Sequence, residues 1–282
     1  MITIQNLAFS YLKEKPLFKD LFWECQPGNI VGILGKNGVG KSSFLRILAG
    51  LLFPKKGELS VLGFSPQLRE ANFLQEVFFV PDENFLPGYL SAHSYRTILQ
   101  PFYPRFDTST FERLLQRFEV NSQEKIKDLS FGQQKKVGLA MALSSGCSVI
   151  LLDEPTNGLD ISSKSTFRKE LISLLREDQT VLIATHLIRD LENTLDRVMI
   201  LDQGQIKLDA DLSDLADSLH FGVSQSDVPD AIFSHPSALG VQFIQYRTTQ
   251  AQTVVNLELL FEAVTSGVSI SPRLKKTNSL TV

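Results

Sequence analysis

The chain has 282 residues, 43% hydrophobic and 21% charged, with a formal net charge of −3. At about 150 residues per domain, this length predicts one large or two small domains, with core enough to need neither disulfides nor structural metal. The near-neutral charge and the absence of a long Lys/Arg block exclude a dedicated nucleic-acid binder.

Cys25 and Cys147 are too few and too isolated for a disulfide framework or a zinc site, which implies a reducing compartment. The opening Met1-Ile2-Thr3-Ile4 lacks the charged-then-apolar pattern of a secretory leader. No apolar run approaches the roughly 18 residues that span a bilayer. The most apolar segment, Val149 to Leu152, stops at Asp153 and Glu154 and reads as a buried strand.

In chain order, Ile2 to Phe9 alternates apolar and polar residues as a half-buried strand does. A turn around Lys13 to Pro16 leads to a strand over Leu21 to Cys25, and Pro27-Gly28 turns into a covered strand, Ile30 to Leu34. A helix follows from Lys41 to about Gly50, then a strand from Glu58 to Leu62. Between Leu90 and Val120 the texture becomes helical. Phe111, Leu114, Leu115 and Phe118 recur at i, i+3, i+4 and i+7, one face of an amphipathic helix.

Strand and helix then alternate: Val149–Leu152, a helix near Ser165–Leu175, Val181–Thr185, a helix near Leu187–Leu195, and Val198–Leu201. This order predicts an α/β fold, a mostly parallel sheet covered by helices, with an antiparallel β flank near the start and an α-helical insert. After Gly204 the pattern weakens, with faint strand character from Gly240 to Leu257. Val254, Leu257, Leu260 and Phe261 need burial, which favours a small appended domain over a tail. Pro272 to Val282 reads as frayed.

The sharpest chemical signal is Gly35-Lys36-Asn37-Gly38-Val39-Gly40-Lys41-Ser42, followed by Ser43, between an apolar strand and a helix. Glycines at this spacing let consecutive N–H groups point inward at phosphate oxygens, and the helix N-terminus adds partial positive charge. Lys41 is placed to reach the β- and γ-phosphates and Ser42 to ligate Mg²⁺. The strand Val149–Leu152 delivers Asp153 and Glu154 to its carboxyl end, beside the phosphate loop in such sheets. Asp153 would hold Mg²⁺ directly or through water, and Glu154 would accept a proton from an attacking water.

Leu129-Ser130-Phe131-Gly132-Gln133 heads a helix between these two motifs. Glu154-Pro155-Thr156-Asn157-Gly158-Leu159-Asp160 and Thr185-His186 follow. Together these resemble the ATP-binding-cassette (ABC) ATPases, over Met1 to about Asp209. The resemblance implies a P-loop NTPase (RecA-like) fold, with residues 1–209 as the ATP-binding domain, a helical insert at about 85–145, and an extension over 210–282. It implies that Leu129–Gln133 is the signature sequence, Gly158-Leu159-Asp160 the D-loop, His186 the switch histidine and Tyr11 the aromatic stacked on adenine. Two such domains would close head-to-tail around two ATP molecules, Ser130 and Gly132 meeting the γ-phosphate held by the other.

This sequence departs from the family at two places. Phe131 replaces the first signature glycine; a positive φ there would cost about 1 kcal/mol or more, whereas ordinary backbone would let the ring pack sideways. The usual glutamine after the strand ending near Val80 is missing, and Asp82 aligns best with it, with Glu83 the alternative Mg²⁺ ligand. Taken alone, Tyr11 is also readable as a hairpin aromatic and His186 as an ordinary strand-end histidine. Lys55-Lys56, Lys135-Lys136 and Lys275-Lys276 read as solvated faces.

The resemblance further implies ATP and Mg²⁺ as cofactors, a second ATPase subunit (a copy or a paralogue) and a separate transmembrane permease. The location implied is peripheral, on the cytoplasmic face of the membrane. The aromatic stretch from Phe85 through Phe106 lies where the family contacts its permease, and Phe102-Tyr103-Pro104-Arg105-Phe106-Asp107, followed by the Phe111–Phe118 helix, looks like ATPase subunits of bacterial exporters, favouring export over import. A soluble ABC-class ATPase acting on ribosomes or DNA is the alternative, as is a low-turnover nucleotide-gated regulator.

Overall fold

The computed structural model describes residues 1–12, 15–247 and 253–270. It begins with β1 (Ile2–Phe9), β2 (Phe18–Cys25), β3 (Ile30–Leu34), α1 (Lys41–Leu48) and β4 (Lys56–Val61). A short helix α2 (Ala71–Leu74) and β5 (Val77–Val80) lead into the helical part, α3 (Ala92–Leu99), α4 (Thr108–Arg117) and α5 (Phe131–Ser144). Then come β6 (Val149–Asp153), α6 (Ile161–Leu174), β7 (Thr180–Thr185), β8 (Arg197–Asp202) and β9 (Gln205–Asp211). The last described elements are α7 (Leu212–Ser218), β10 (Leu219–Ser224), β11 (Phe233–Ser237), β12 (Gly240–Tyr246) and α8 (Leu257–Thr265).

The central sheet runs β5-β6-β7-β3-β8-β9, parallel except for the antiparallel β8–β9 pair. All five residues of β3 and of β6 are buried, which accounts for their unbroken apolar runs: a sheet covered on both faces has no polar side to expose. Their side chains part alternately between two cores. Val31, Ile33, Leu151 and Leu182 join Phe44 and Leu48 of α1, and Ile2, Leu7 and Trp23 of the antiparallel sheet β2-β1-β4. Ile30, Leu34, Ile150, Leu152 and Ile183 join Val137 and Met141 of α5 and Phe167 and Leu171 of α6. The phosphate-loop helix thus fills one layer and the signature helix the other, and both meet the sheet at the same carboxyl ends.

The amphipathic face Phe111, Leu114, Leu115, Phe118 is buried, as its spacing predicts. Asp107 caps α4 by accepting from Ser109 N and Thr110 N, and bonds from Ser109 and Thr110 hold its carboxyl down at about 2. Glu170 of α6, 1% exposed, bonds Arg113 at 2.7 Å and also Arg117, fastening α4 to the sheet-covering layer.

Several expectations need correction. The stretch Leu187–Leu195 contains only a 3₁₀ turn, Ile188–Asp190. Asp190 is claimed from α6 instead, its carboxylate by Lys164 at 2.7 Å and its carbonyl by Arg168 at 2.8 Å, and Asn193-Thr194 are weak helix formers. Helix α6 begins at Ile161 rather than near Ser165, because Asp160 accepts from Ser163 N at 2.8 Å and starts it. Lys135 and Lys136 do not form a solvated face: they are 6% and 9% exposed. Lys55 and Lys56 are exposed, while Lys275-Lys276, the stretch Pro272 to Val282, and Lys13 and Glu14 of the early turn lie outside the described residues.

Beyond β9 the chain forms a three-stranded antiparallel sheet, β10-β12-β11, flanked by α7 and α8. Leu257 and Leu260 sink into the same core as α5 and α6, and Phe261 is half-buried, but Val254 is 80% exposed, against the expectation that it is packed. Removing the three outer side-chain carbons of a leucine from a closed core costs about 2–5 kcal/mol. Leu260→Ala is therefore expected to lower unfolding free energy by about that amount, and Val254→Ala to leave it within about 0.5 kcal/mol; chemical denaturation of both variants checks the contrast.

Candidate nucleotide site

The loop between β3 and α1 requires glycine where the backbone turns. Gly40 has φ +112°, and a Cβ there would lie 2.8 Å from the Phe18 ring. Gly38 is likewise left-handed, at φ +79°. The curl leaves the N-terminus of α1 facing a cleft of about 720 Å³ lined by Tyr11, Asn37, Gly38, Gly40, Lys41, Ser42 and Ser43 on one side and Asp82, Glu154, Asn157 and His186 on the other. Gly35, Lys36 and Val39 do not line it; Gly35 and Lys36 instead offer their carbonyls to the Lys41 ammonium, at 2.8 and 3.4 Å. Burial pushes Lys41 below its ordinary value, against the opposing pull of Glu154.

Glu154 adopts φ +46°, a left-handed conformation that costs a non-glycine residue about 1–3 kcal/mol. Four neighbouring groups hold its side chain in place. Thr185 Oγ1 donates to the carboxylate at 2.9 Å, the His186 amide at 3.1 Å, His186 Nδ1 lies at 2.8 Å, and Lys41 Nζ at 3.8 Å. Asp153 is 2% exposed, and its Oδ1 has no hydrogen-bond partner among the described residues. The Ser42 hydroxyl engages the same carboxylate, while burial raises its carboxyl above the usual range. A buried, unsatisfied carboxylate oxygen beside a hydroxyl is an oxygen-donor set that suits a hard cation such as Mg²⁺.

Of the two acids after β5, Asp82 reaches the cleft, whereas Glu83 is exposed and pairs with Arg46 at 2.6 Å. Tyr11 is 60% exposed, its ring edge-on to Phe9 and its hydroxyl 2.8 Å from Ser43 Oγ.

The signature residues lie apart from this cleft. Ser130 is exposed and caps α5 in a reciprocal box, its Oγ accepting from Gln133 N at 3.3 Å while Gln133 Oε1 accepts from Ser130 N at 2.9 Å. Phe131 opens the helix without positive φ, so the strained alternative is not taken. Its ring packs sideways over Gly158, where a Cβ would sit 2.7 Å from Phe131 Cδ1, and Gly132 abuts the Gly158 carbonyl, which a Cβ would approach to 2.6 Å. Asp160 does not line the cleft either. Ser162, Ser163 and Lys136 occupy its carboxylate and hold it well below the ordinary range. Asn157 and Thr185, which touch Asp82 and Glu154, lie within motifs quoted from the sequence but have no role assigned there.

A phosphate loop, a buried acid pair and a strand-end histidine around one cleft define a P-loop nucleoside triphosphatase. A profile of the ABC transporter family matches residues 18–157. NatA, an ABC transporter ATP-binding protein of Bacillus subtilis (strain 168), is 31% identical over 215 residues, covering 73% of this chain and 87% of NatA. An uncharacterized ABC transporter ATP-binding protein of the same organism, YdbJ, is 31% identical over 202 residues, 70% of this chain, which spans 65% of that relative's length. Nod factor export ATP-binding protein I of Rhizobium meliloti (strain 1021) is 29% identical over 209 residues, 72% of this chain and 62% of that protein. Among solved structures, an ATP-binding cassette captured as a dimer in a post-hydrolysis state with ADP and Pi superposes with a TM-score of 0.66 at 27% identity, over 75% of this chain and 99% of that one. The chain belongs to the ATP-binding proteins of ABC transporters and is an ATPase of the ABC type.

Charge-assisted hydrogen bonds of the kind Lys41 offers a phosphate are worth about 1.5–3 kcal/mol. Lys41→Ala is expected to weaken ATP binding roughly 10- to 100-fold in equilibrium titration; an unchanged affinity contradicts the placement of the triphosphate against α1.

Proposed function

We propose that this chain is the ATP-hydrolysing subunit that powers a membrane transporter, by closing on a second ATPase subunit when ATP is bound. The observation that supports this best is the set of Lys41, Glu154 and His186 around one cleft, with Glu154 anchored by Thr185. In that arrangement the phosphate loop and Lys41 hold the triphosphate, and Glu154 takes a proton from a water attacking the γ-phosphorus in line. The new P–O bond forms as the bond to the ADP oxygen breaks. Lys41 and His186 stabilise the negative charge that develops on the transferred group. Ser42 and Asp153 are the residues that would hold Mg²⁺, with Asp82 beside them; a bound Mg²⁺ supplies charge neutralisation on the phosphate oxygens. Tyr11 is the residue placed to stack on the base.

The signature carries the second half of the proposal. Ser130 and Gly132 sit at the N-terminus of α5, outside the cleft of their own chain, so contact with a γ-phosphate requires a second subunit. Ser130 is exposed, as such a contact requires. A relative known as an ATP-binding cassette dimer supports the same geometry.

A permease partner is proposed because no helix among the described residues is long and apolar enough to cross a membrane, and because the relatives are transporter components. Export is the favoured direction, supported by the relative named for Nod factor export. Within the aromatic stretch, Phe106 is buried and Phe85 half-buried, whereas Tyr89 and Phe102 are 76% and 65% exposed and available to a partner. On this reading the protein works peripherally, at the cytoplasmic face of the membrane.

Glu154→Gln keeps the size and loses the base. Turnover is expected to fall about 10²-fold or more while ATP is still bound, with a stable dimer seen by light scattering; normal turnover contradicts the assigned role. Ser130→Arg is expected to leave ATP affinity in the single chain unchanged and to abolish closure, measured by the same methods; equal loss of both contradicts a contact made across subunits.

A further inference from the structure

Lys135 lies on α5, one turn inside the signature, and points back toward the nucleotide cleft. Its side chain is 4% exposed. The ammonium lies 3.2 Å from Asp82 Oδ1, 3.1 Å from Asp82 O, 3.3 Å from Pro81 O and 3.4 Å from Asp153 O. These four oxygens come from the loop after β5 and from the end of β6, so one cation joins the signature helix to both acid-bearing segments of the site. Asn157 Nδ2 reaches the same Asp82 Oδ1 at 3.3 Å. Both donors therefore take one oxygen of Asp82, and Oδ2 has no partner among the described residues.

The charge balance explains why a lysine is tolerated there. Asp82, Asp153 and Glu154 bring three carboxylates to one region, and Lys41 pairs with Glu154. Without a second ammonium, the half-exposed Asp82 would stand uncompensated near the buried Asp153, and neighbouring like charges disfavour ionisation. Burying an ammonium is unfavourable unless it is paired and hydrogen-bonded, and Lys135 is both.

We propose that Lys135 is a positioning residue that holds the Asp82 carboxylate at the edge of the nucleotide cleft and ties that carboxylate to the signature helix. This rests on the reading of the cleft as an ATP site. Because the lysine and Asn157 grip one Asp82 oxygen, the other would be left available to a cation held beside it. Movement of α5, which carries Ser130 and Gly132, is thereby transmitted to Asp82 through a single side chain.

A double-mutant cycle over Lys135→Met and Asp82→Asn tests the pair, read as the affinity for a fluorescent ATP analogue in Mg²⁺ and in EDTA, with turnover measured alongside. Lys135→Met is expected to weaken binding in Mg²⁺ about fivefold or more and to leave binding in EDTA unchanged. In the Asp82→Asn background the same substitution is expected to change Mg²⁺-dependent binding less than twofold. Equal weakening with and without Mg²⁺, an equal effect in both backgrounds, or no effect of Lys135→Met overturns the proposal. Should Lys135→Met not fold, recovery of folded protein by adding Asp82→Asn supports the pair, and failure of the double variant as well overturns it. Wild-type protein that binds no nucleotide contradicts the reading of the cleft, whereas wild-type binding matched by Lys135→Met contradicts the Lys135 assignment alone.

Discussion

The site depends on an opposition of two buried charges, the Lys41 ammonium and the Glu154 carboxylate, 3.8 Å apart at the carboxyl ends of β3 and β6. Neither group is stable there by itself. Lys41 is tied down by two loop carbonyls, and Glu154 by Thr185, the His186 amide and a left-handed backbone that no ordinary residue adopts without cost. The parallel sheet supplies the rigidity for this, because Glu154 directly follows β6 and Lys41 opens α1 after the loop from β3, both strands being fully buried. On the proposed reading, a triphosphate entering the cleft would draw the ammonium away from the carboxylate.

Much of this was legible in the sequence because strand chemistry and motif chemistry coincide. Ile30 to Leu34 and Val149 to Leu152 are unbroken apolar runs, and each ends in a phosphate loop or an acid pair, so burial and function point to one sheet edge. The i, i+3, i+4, i+7 face of α4 was equally plain, because a helix covering a core needs that stripe. Legibility failed where tertiary partners outweigh local pattern. The Leu187–Leu195 segment carries apolar spacing, yet Lys164 and Arg168 of α6 take hold of Asp190 and no α-helix forms. Charge misled in the same way at Lys135-Lys136, where a lysine doublet looks solvated until the acids that bury it are brought close by the fold.

The departures from the family pattern have physical accommodations. Phe131 replaces a glycine without backbone strain, because it occupies an ordinary helical position and lays its ring on Gly158, a neighbour with no side chain to displace. Asp82 adds an anion near Asp153, and Lys135 supplies a counter-charge from the signature helix. The site thereby balances the Asp82 carboxylate against the Lys135 ammonium. It also acquires a link between α5 and the loop after β5 that is visible only in three dimensions.

On the proposed reading, the cleft between the phosphate loop and the end of β6 takes a nucleoside triphosphate. Calorimetric titration of the purified wild-type chain with ATP in Mg²⁺ tests it most directly. Saturable binding at one nucleotide per chain, displaced by ADP, is expected; the absence of saturable binding by folded protein would contradict it.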